Sequence, residues 1–323
     1  MSTLSIIITC YNGWKYMNNC LCSLENQTVI PDEIIIVDDC SLDDSFEQLE
    51  KYIATSKLNI KLIKNEKNSG PGVSREIGLK NATKEYIAFC DCDDWYEEDF
   101  ISDIKRRISQ EPTDIYIFDN YTAYDDGRKS IAHSTKWLLS AGKNEIIGLY
   151  SMSLWRFAFR KAVLCGIEHS DLYYAEDAVV ALQAISKAET ITIIDKPYYN
   201  YLYREGSASD KPSPKVYKSF EKAFDIIYSK IGTQYPLENE FIGVKMICYG
   251  ATLNAFKAHI AKCEIKRFIE DFEIKYPEWQ KNNYISTLGK IKRVYLFFIK
   301  KKMLFLAKIM GLLHSKIIRL RRG

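Results

Sequence analysis

Short apolar runs alternate with stretches of helical period through the first hundred residues. LSIIIT (4–9), EIIIVDD (33–39), IKLIK (60–64) and YIAF (86–89) read as strands. The segments between them, up to about residue 27, from about 43 to 56 and from about 72 to 81, read as helices. Runs such as IIIV are apolar at every position, the pattern of a strand buried on both faces, so the spacing predicts a mostly parallel sheet flanked by helices, an α/β architecture. Ligands of open α/β sheets bind beyond the carboxyl ends of the strands. Residues 9–12, 38–41 and 91–94 follow three such ends, so three polar clusters are expected to converge on one crevice.

Beyond residue 114 the pattern is mixed. A strand DIYIF (114–118), a turn at 125–128 and an aromatic-rich stretch SLWRFAFRKAVL (153–164) lead to a helix opening near Glu176, then to ITIID and the tyrosine-rich PYYNYLYREGSAS. KPSP (211–214) is the clearest linker, and residues 215–277 carry apolar positions at helical spacing. This divides the chain into a domain at 1–210, a helical region at 211–289 and a tail at 290–323.

With 323 residues, 47% hydrophobic and 27% charged, the chain can bury a full core. Its nine cysteines, including the close pairs Cys20/Cys22 and Cys90/Cys92, lack the spacing of a disulfide framework and fit a reducing cytoplasm. No second Cys or His pair at zinc spacing accompanies Cys90 and Cys92, which argues against a zinc site. The apolar start of the chain has neither a basic lead-in nor a small-residue cleavage site, so it reads as a first strand. The net charge of +3 conceals an asymmetry: no acidic residue follows Glu278, whereas twelve Lys or Arg do. Residues 1–278 therefore carry 33 basic against 42 acidic groups, a net of −9.

The most informative segment is YIAFCDCDD (86–94), a strand that runs into three aspartates. In an extended chain Asp91 and Asp93 would share a face about 6 to 7 Å apart. Hard cations such as Mn²⁺ or Mg²⁺ are held by one or two carboxylates together with substrate phosphates, so a nucleotide or sugar-nucleotide site is the expectation. The competing reading makes Asp93 and Asp94 caps of a helix that begins at Trp95.

IIITCYNGWKYMNNCLCSLENQT, EIIIVDDCSLDDS, NEKNSGPGVSREIGL and IAFCDCDD, followed by YYAEDAVVALQ and YNYLYREGSAS, closely resemble in order the motifs of the family-2 inverting glycosyltransferases of GT-A fold. The resemblance covers roughly residues 3–210. It implies a Rossmann-like sheet, to which the helical spacing of residues 215–277 adds a C-terminal helical appendage, and a hexosyl- or N-acetylhexosaminyl-transferase using a nucleotide-diphosphate sugar, UDP-linked by expectation. Thr9, Tyr11, Asp38, Asp39, Asn68 and Arg75 then belong to nucleotide recognition, Tyr11 offering a face to uracil and Asp38 or Asp39 an acceptor to base or ribose. The alternative for Asp38 and Asp39 is a turn and capping role.

Arg75 is expected on the first turn of its helix, where it would reach phosphate or uracil oxygens. Glu76 stands where the family usually has Asn. By the same resemblance Asp91 contacts ribose or sugar and Asp93 the metal, Asp177 is the base with Glu176 as runner-up, and Arg204 and Ser207 close over the diphosphate. For Glu176 and Asp177 the plain alternative is preference for a helix N-terminus. Trp155, Arg156 and Arg160 are candidates for the acceptor floor, against the alternative that such aromatics are core.

The tail, KIKRVYLFFIKKKMLFLAKIMGLLHSKIIRLRR (290–322), has eleven basic residues and a longest apolar run of six, at 294–299. About 18 to 20 apolar residues are needed to span a bilayer. The tail therefore reads as a basic amphipathic helix on the anionic inner face of the plasma membrane, with a dimerisation helix as the competitor. No nucleic-acid-binding module accompanies it. The sequence thus points to a metal-dependent transferase acting on a cell-surface glycan or lipid-linked acceptor. The alternative is a nucleotide-sugar-binding or assembly partner without catalysis. A nucleotidyltransferase is disfavoured, because no Gly-rich phosphate loop with Lys or Arg lies near the first strand.

Overall fold

The computed structural model describes residues 3–133, 135–149, 152–169, 171–204 and 212–322. Its strands are β1 (Leu4–Cys10), β2 (Glu33–Asp38), β3 (Ile60–Lys64), β4 (Tyr86–Asp91), β5 (Trp95–Tyr96), β6 (Ile115–Ala123), β7 (Lys129–His133), β8 (Phe157–Arg160) and β9 (Ile191–Leu202). The helices are α1 (Asn18–Glu25), α2 (Ser45–Thr55), α3 (Pro71–Asn81), α4 (Phe100–Gln110), α5 (Lys143–Leu149), α6 (Lys161–Leu164), α7 (Glu176–Lys187), α8 (Pro214–Ile231), α9 (Pro236–Gly243), α10 (Thr252–Lys257), α11 (Lys262–Lys275), α12 (Lys290–Lys300) and α13 (Leu304–Arg322). A π-helical run, Val244–Ala251, joins α9 to α10.

The strands form one sheet in the order β3-β2-β1-β4-β8-β6-β9-β5, with β7 added to β6. β1, β2 and β4, buried at nearly every position, pair in parallel as double burial requires, and β3, whose Lys61 and Lys64 are exposed, adds a parallel edge strand to β2. From β8 onward the sheet is mixed: β8 runs antiparallel to β4 and β6, and β9 parallel to β6. The core beneath is aliphatic around Ile6, Ile8, Ile34 and Ile36 and aromatic around Tyr96, Phe100, Phe118 and Tyr198. Tyr96 stacks on Phe100 with centroids 4.0 Å apart.

Contacts group the chain into two units. The sheet and its helices make the first, from Met1–Gly142, Ser151–Asp171 and Glu176–Glu205; the second comprises Lys143–Tyr150, Leu172–Ala175 and Gly206–Gly323. The second unit thus takes in the basic tail along with the preceding helices, and also two segments from within the first two hundred residues. Asn144 of α5 donates to Glu238 of α9 at 3.2 Å, and Tyr174 packs on Phe220 of α8 at 5.1 Å. The tail is two helices, since Lys302 adopts a positive φ of 54° between α12 and α13. Tyr295, Leu296 and Ile299 of α12 are buried, and the Tyr295 hydroxyl lies 2.7 Å from Thr252 Oγ1. No helix among the described residues is long and apolar enough to cross a membrane.

Candidate active site

Strand register brings the expected polar ends together. Thr9 is opposite Asp91 across β1 and β4, and Cys10 is opposite Asp38 across β1 and β2. Arg75 reaches the same end from α3. Its helix packs tightly on β1 because Gly78, one turn on, has no side chain: a Cβ there would stand 2.4 Å from Ile7 Cγ2.

Arg75 is the hub of the site. Its guanidinium is buried and donates to Asp91 Oδ1 at 2.9 Å, Glu176 Oε1 at 3.0 Å and Asp177 Oδ1 at 2.6 Å. It sits on the second turn of α3, since that helix begins at Pro71, and in this structure carboxylates hold it. Burial opposes its charge, but Asp177, Asp91 and Glu176 outweigh that and raise its pKa. Glu176 and Asp177 open α7 as expected, directly after Ala175 at φ 67°. Burial is the main cause that lifts Asp177 to about 7; Arg75 pulls it down, and the charges of Glu176 and Asp91 push it further up. Leu154 N–H donates to its other oxygen at 3.2 Å.

Residues 91–94 are a turn and not an extended segment: Asp94 N–H donates to the Asp91 carbonyl at 3.1 Å. The alternating-face geometry expected for Asp91 and Asp93 therefore does not apply. Trp95 begins the two-residue strand β5, paired with β9, so Asp93 and Asp94 do not cap a helix there. Asp94 is instead buried, accepting from Tyr199 Oη and Leu202 N–H, each at 2.8 Å. Tyr199 Oη in turn accepts from Asp91 N–H at 3.0 Å, so one tyrosine ties the end of β4 to β9.

Asp93 is ion-paired with Arg204, whose guanidinium carbon lies 3.8 Å from the Tyr16 ring centroid. Burial and the charge of Asp91 raise the Asp93 pKa against the pull of Arg204. Burial and the charges of Asp93 and Asp91 push Asp94 well up. Five carboxylates (Asp91, Asp93, Asp94, Glu176 and Asp177) thus face two guanidinium groups (Arg75 and Arg204), a net of −3 when all are ionised. Such a cluster favours added positive charge. Asp91 Oδ2 receives no hydrogen bond among the described residues, and no group of three or more His, Cys, Asp or Glu among them forms a metal cage.

Asp38 is fully buried and accepts from Ser41 N–H at 3.0 Å and Ser41 Oγ at 2.5 Å. Asp39 accepts from Asn65 Nδ2, Ser69 N–H and Gly70 N–H at 2.8, 2.9 and 2.7 Å, and so anchors the loop before α3. Tyr11 and Asn68 are exposed beside these loops. Trp155 is buried in an aromatic stack, 4.6 Å from Tyr199 and 5.9 Å from Tyr201, which places it in the core. Arg156 is buried and donates to Asn120 Oδ1 at 2.5 Å. Arg160 is not brought to the cluster: it pairs in register with Tyr86, at the start of β4, and binds Asp114 at 3.0 Å. Ser207 lies outside the described residues.

Tyr16, Tyr199 and Gly13 carry parts of the site that no motif reading singled out. A Cβ on Gly13 would meet Cys92 Sγ at 2.6 Å and Cys10 Sγ at 2.9 Å, so glycine lets the first loop lie against the 91–94 turn. The signal was available only as the aromatic and glycine content of NGWKY, which does not name its contacts.

A sheet whose parallel strand ends carry a carboxylate turn, joined through Arg75 to a helix that opens on Glu-Asp, is the arrangement that the resemblance to glycosyltransferases of GT-A fold leads one to expect. Residues 5–166, half of the chain, match the glycosyl transferase family 2 pattern, and the chain belongs to that family. Among known proteins, the poly(ribitol-phosphate) beta-N-acetylglucosaminyltransferase TarS of Staphylococcus aureus is 31% identical over 217 residues, which cover 64% of this chain and 36% of TarS. The match thus spans about a third of that relative's length. The crystal structure of S. aureus TarS 1-349 in complex with UDP aligns with a TM-score of 0.71 at 24% identity, covering 97% of this chain and 91% of that one. The same segment in complex with UDP-GlcNAc aligns with a TM-score of 0.68 at 23% identity, covering 97% and 92%.

Proposed function

We propose that the protein is an inverting glycosyltransferase that moves a sugar, with N-acetylglucosamine as first candidate, from a UDP-linked donor to a hydroxyl of a cell-surface glycan or lipid-linked acceptor. The observation that carries this reading is the single arginine that joins Asp91, which we assign to the donor, to Asp177, whose pKa of about 7 suits a base at neutral pH. As the acceptor oxygen bonds to the anomeric carbon, Asp177 takes its proton, and the bond from that carbon to the diphosphate breaks. The donor reading is supported by the likeness to TarS, whose complexes hold UDP and UDP-GlcNAc.

Mn²⁺ or Mg²⁺ fits the acidic turn. Asp93, with the free oxygen of Asp91, would hold it, the remaining positions falling to water and diphosphate. When bound, the ion supplies positive charge to the departing phosphates. Arg204, which lies over the Tyr16 ring, would share that task on releasing Asp93.

The tail is proposed to rest on the anionic inner face of the plasma membrane, and α13 is its contact element. Phe305, Leu306, Ile309, Leu312, Leu313 and Ile317 are exposed on it, whereas Ala307 and Gly311 pack inward.

A panel of UDP-, GDP- and dTDP-sugars tests the proposal through nucleotide release. The expected result is UDP release from UDP-GlcNAc that EDTA abolishes and Mn²⁺ or Mg²⁺ restores. Failure of every sugar nucleotide would refute the transferase reading, and release insensitive to EDTA would remove the metal from it.

A further inference from the structure

Three helical segments of the second unit meet around two lysines that have no acidic partner among the described residues. The π-helical run carries Lys245 and Tyr249, α12 carries Lys292 on its first turn, and α13 carries His314. Lys292 Nζ stands 5.1 Å from the Tyr249 ring centroid, and the Tyr249 hydroxyl is 2.6 Å from His314 Nδ1. Lys245 Nζ lies 5.4 Å from the Phe241 centroid. Aromatic rings, and no carboxylates, are therefore the neighbours of both ammonium groups among the described residues.

Three acids on neighbouring elements are engaged elsewhere. Glu238 is held by Asn144 and Tyr284, Glu240 by Asn282, and Glu273 by Lys300, Lys302 and Trp279 Nε1. Burial lowers Lys245 to about 8, the charge of Lys292 acting in the same direction, and burial lowers Lys292 too. Both lysines are partly exposed, and holding two half-buried like charges together without a counter-ion is unfavourable. Two further features mark this place, and the second favours an anion. π-helical segments recur at functional sites. The α12 N-terminus, capped by Gly289 with no side-chain hydrogen bond, turns its free amides toward the same end as Lys292.

We infer that Lys245 and Lys292, with the Tyr249 hydroxyl, His314 and the first turn of α12, form a binding site for a phosphate group. A tetrahedral oxyanion of one to two negative charges matches two ammonium groups and several neutral donors. The inference stands independently of the transfer reaction, because none of these residues belongs to the carboxylate site.

Competitive acylation of the full-length protein, read by peptide mass spectrometry, tests it. At pH 8 a bound phosphate holds the proton on Lys245, so saturating inorganic phosphate should slow Lys245 labelling about tenfold, one unit of pKa. Potassium chloride at equal ionic strength should not. Phosphatidylglycerol vesicles form a second arm: protection by vesicles and not by free phosphate would identify the group as a lipid headgroup, which also supports the site. Lys292→Met should slow basal Lys245 labelling and abolish the protection, while Lys292→Arg keeps it. Labelling that neither phosphate nor the vesicles slow, or that chloride slows equally, would overturn the assignment, and this arm uses the unaltered protein.

Discussion

At the scale of single residues, the site is decided by what burial does to charge. Asp177 is raised to about 7 because desolvation outweighs the pull of Arg75. A raised carboxyl pKa means that the folded chain keeps a proton that the unfolded chain releases. The associated stability is complete below about pH 4 and is lost as pH rises through about 7. Catalysis runs the other way, since a base works only when ionised. The expected kcat/KM rises close to tenfold per unit at acid pH and levels off above about pH 8; a flat profile from pH 5 to 8 would place the base elsewhere. Arg75, Asp91, Glu176 and Asp177 were legible in the sequence because each sits at a motif position with its own chemistry. Tyr16 and Tyr199 were not, because their partners Arg204 and Asp94 lie 188 and 105 positions away, as the stacking and hydrogen bond record.

Elements explain where the pattern succeeded and where it misled. Strands β1, β2 and β4 were legible because burial on both faces leaves their middles apolar, and the half-exposed β3 because IKLIK keeps short apolar positions at strand length. The turn at 91–94 was not, since alternation describes a chain only while it stays extended, and here the Asp94 amide folds back on Asp91. The tail was legible as basic and apolar, but periodicity cannot tell a face packed on protein from one left open. The structure separates them: α12 buries Tyr295, Leu296 and Ile299, and α13 leaves its outer stripe exposed. Replacing Phe305, Ile309, Leu312 and Leu313 together by Ser should lower flotation with phosphatidylglycerol vesicles at least about tenfold, each side chain bringing on the order of 1.5 kcal/mol or more when buried. Unchanged flotation, with sedimentation showing an oligomer that the same substitutions dissociate, would make the stripe a self-association surface.

For the whole molecule, the two compact units are not two consecutive stretches. Segments 143–150 and 172–175 join the C-terminal helices, and the second of them ends immediately before Glu176. Hydrophobic pattern assigns a face to each helix but not a partner, so this interleaving was outside its reach, whereas the order of motifs carried the GT-A architecture. The central claim is that Asp177 acts as the base on a donor held by other residues. Its most direct test is Asp177→Asn, with turnover and UDP-GlcNAc affinity measured side by side at pH 8. The amide still accepts from Arg75, so donor Kd should stay within about threefold, under 1 kcal/mol, while turnover falls about 10²- to 10⁴-fold. Turnover near that of the unaltered protein, or donor binding lost along with it, would contradict the account.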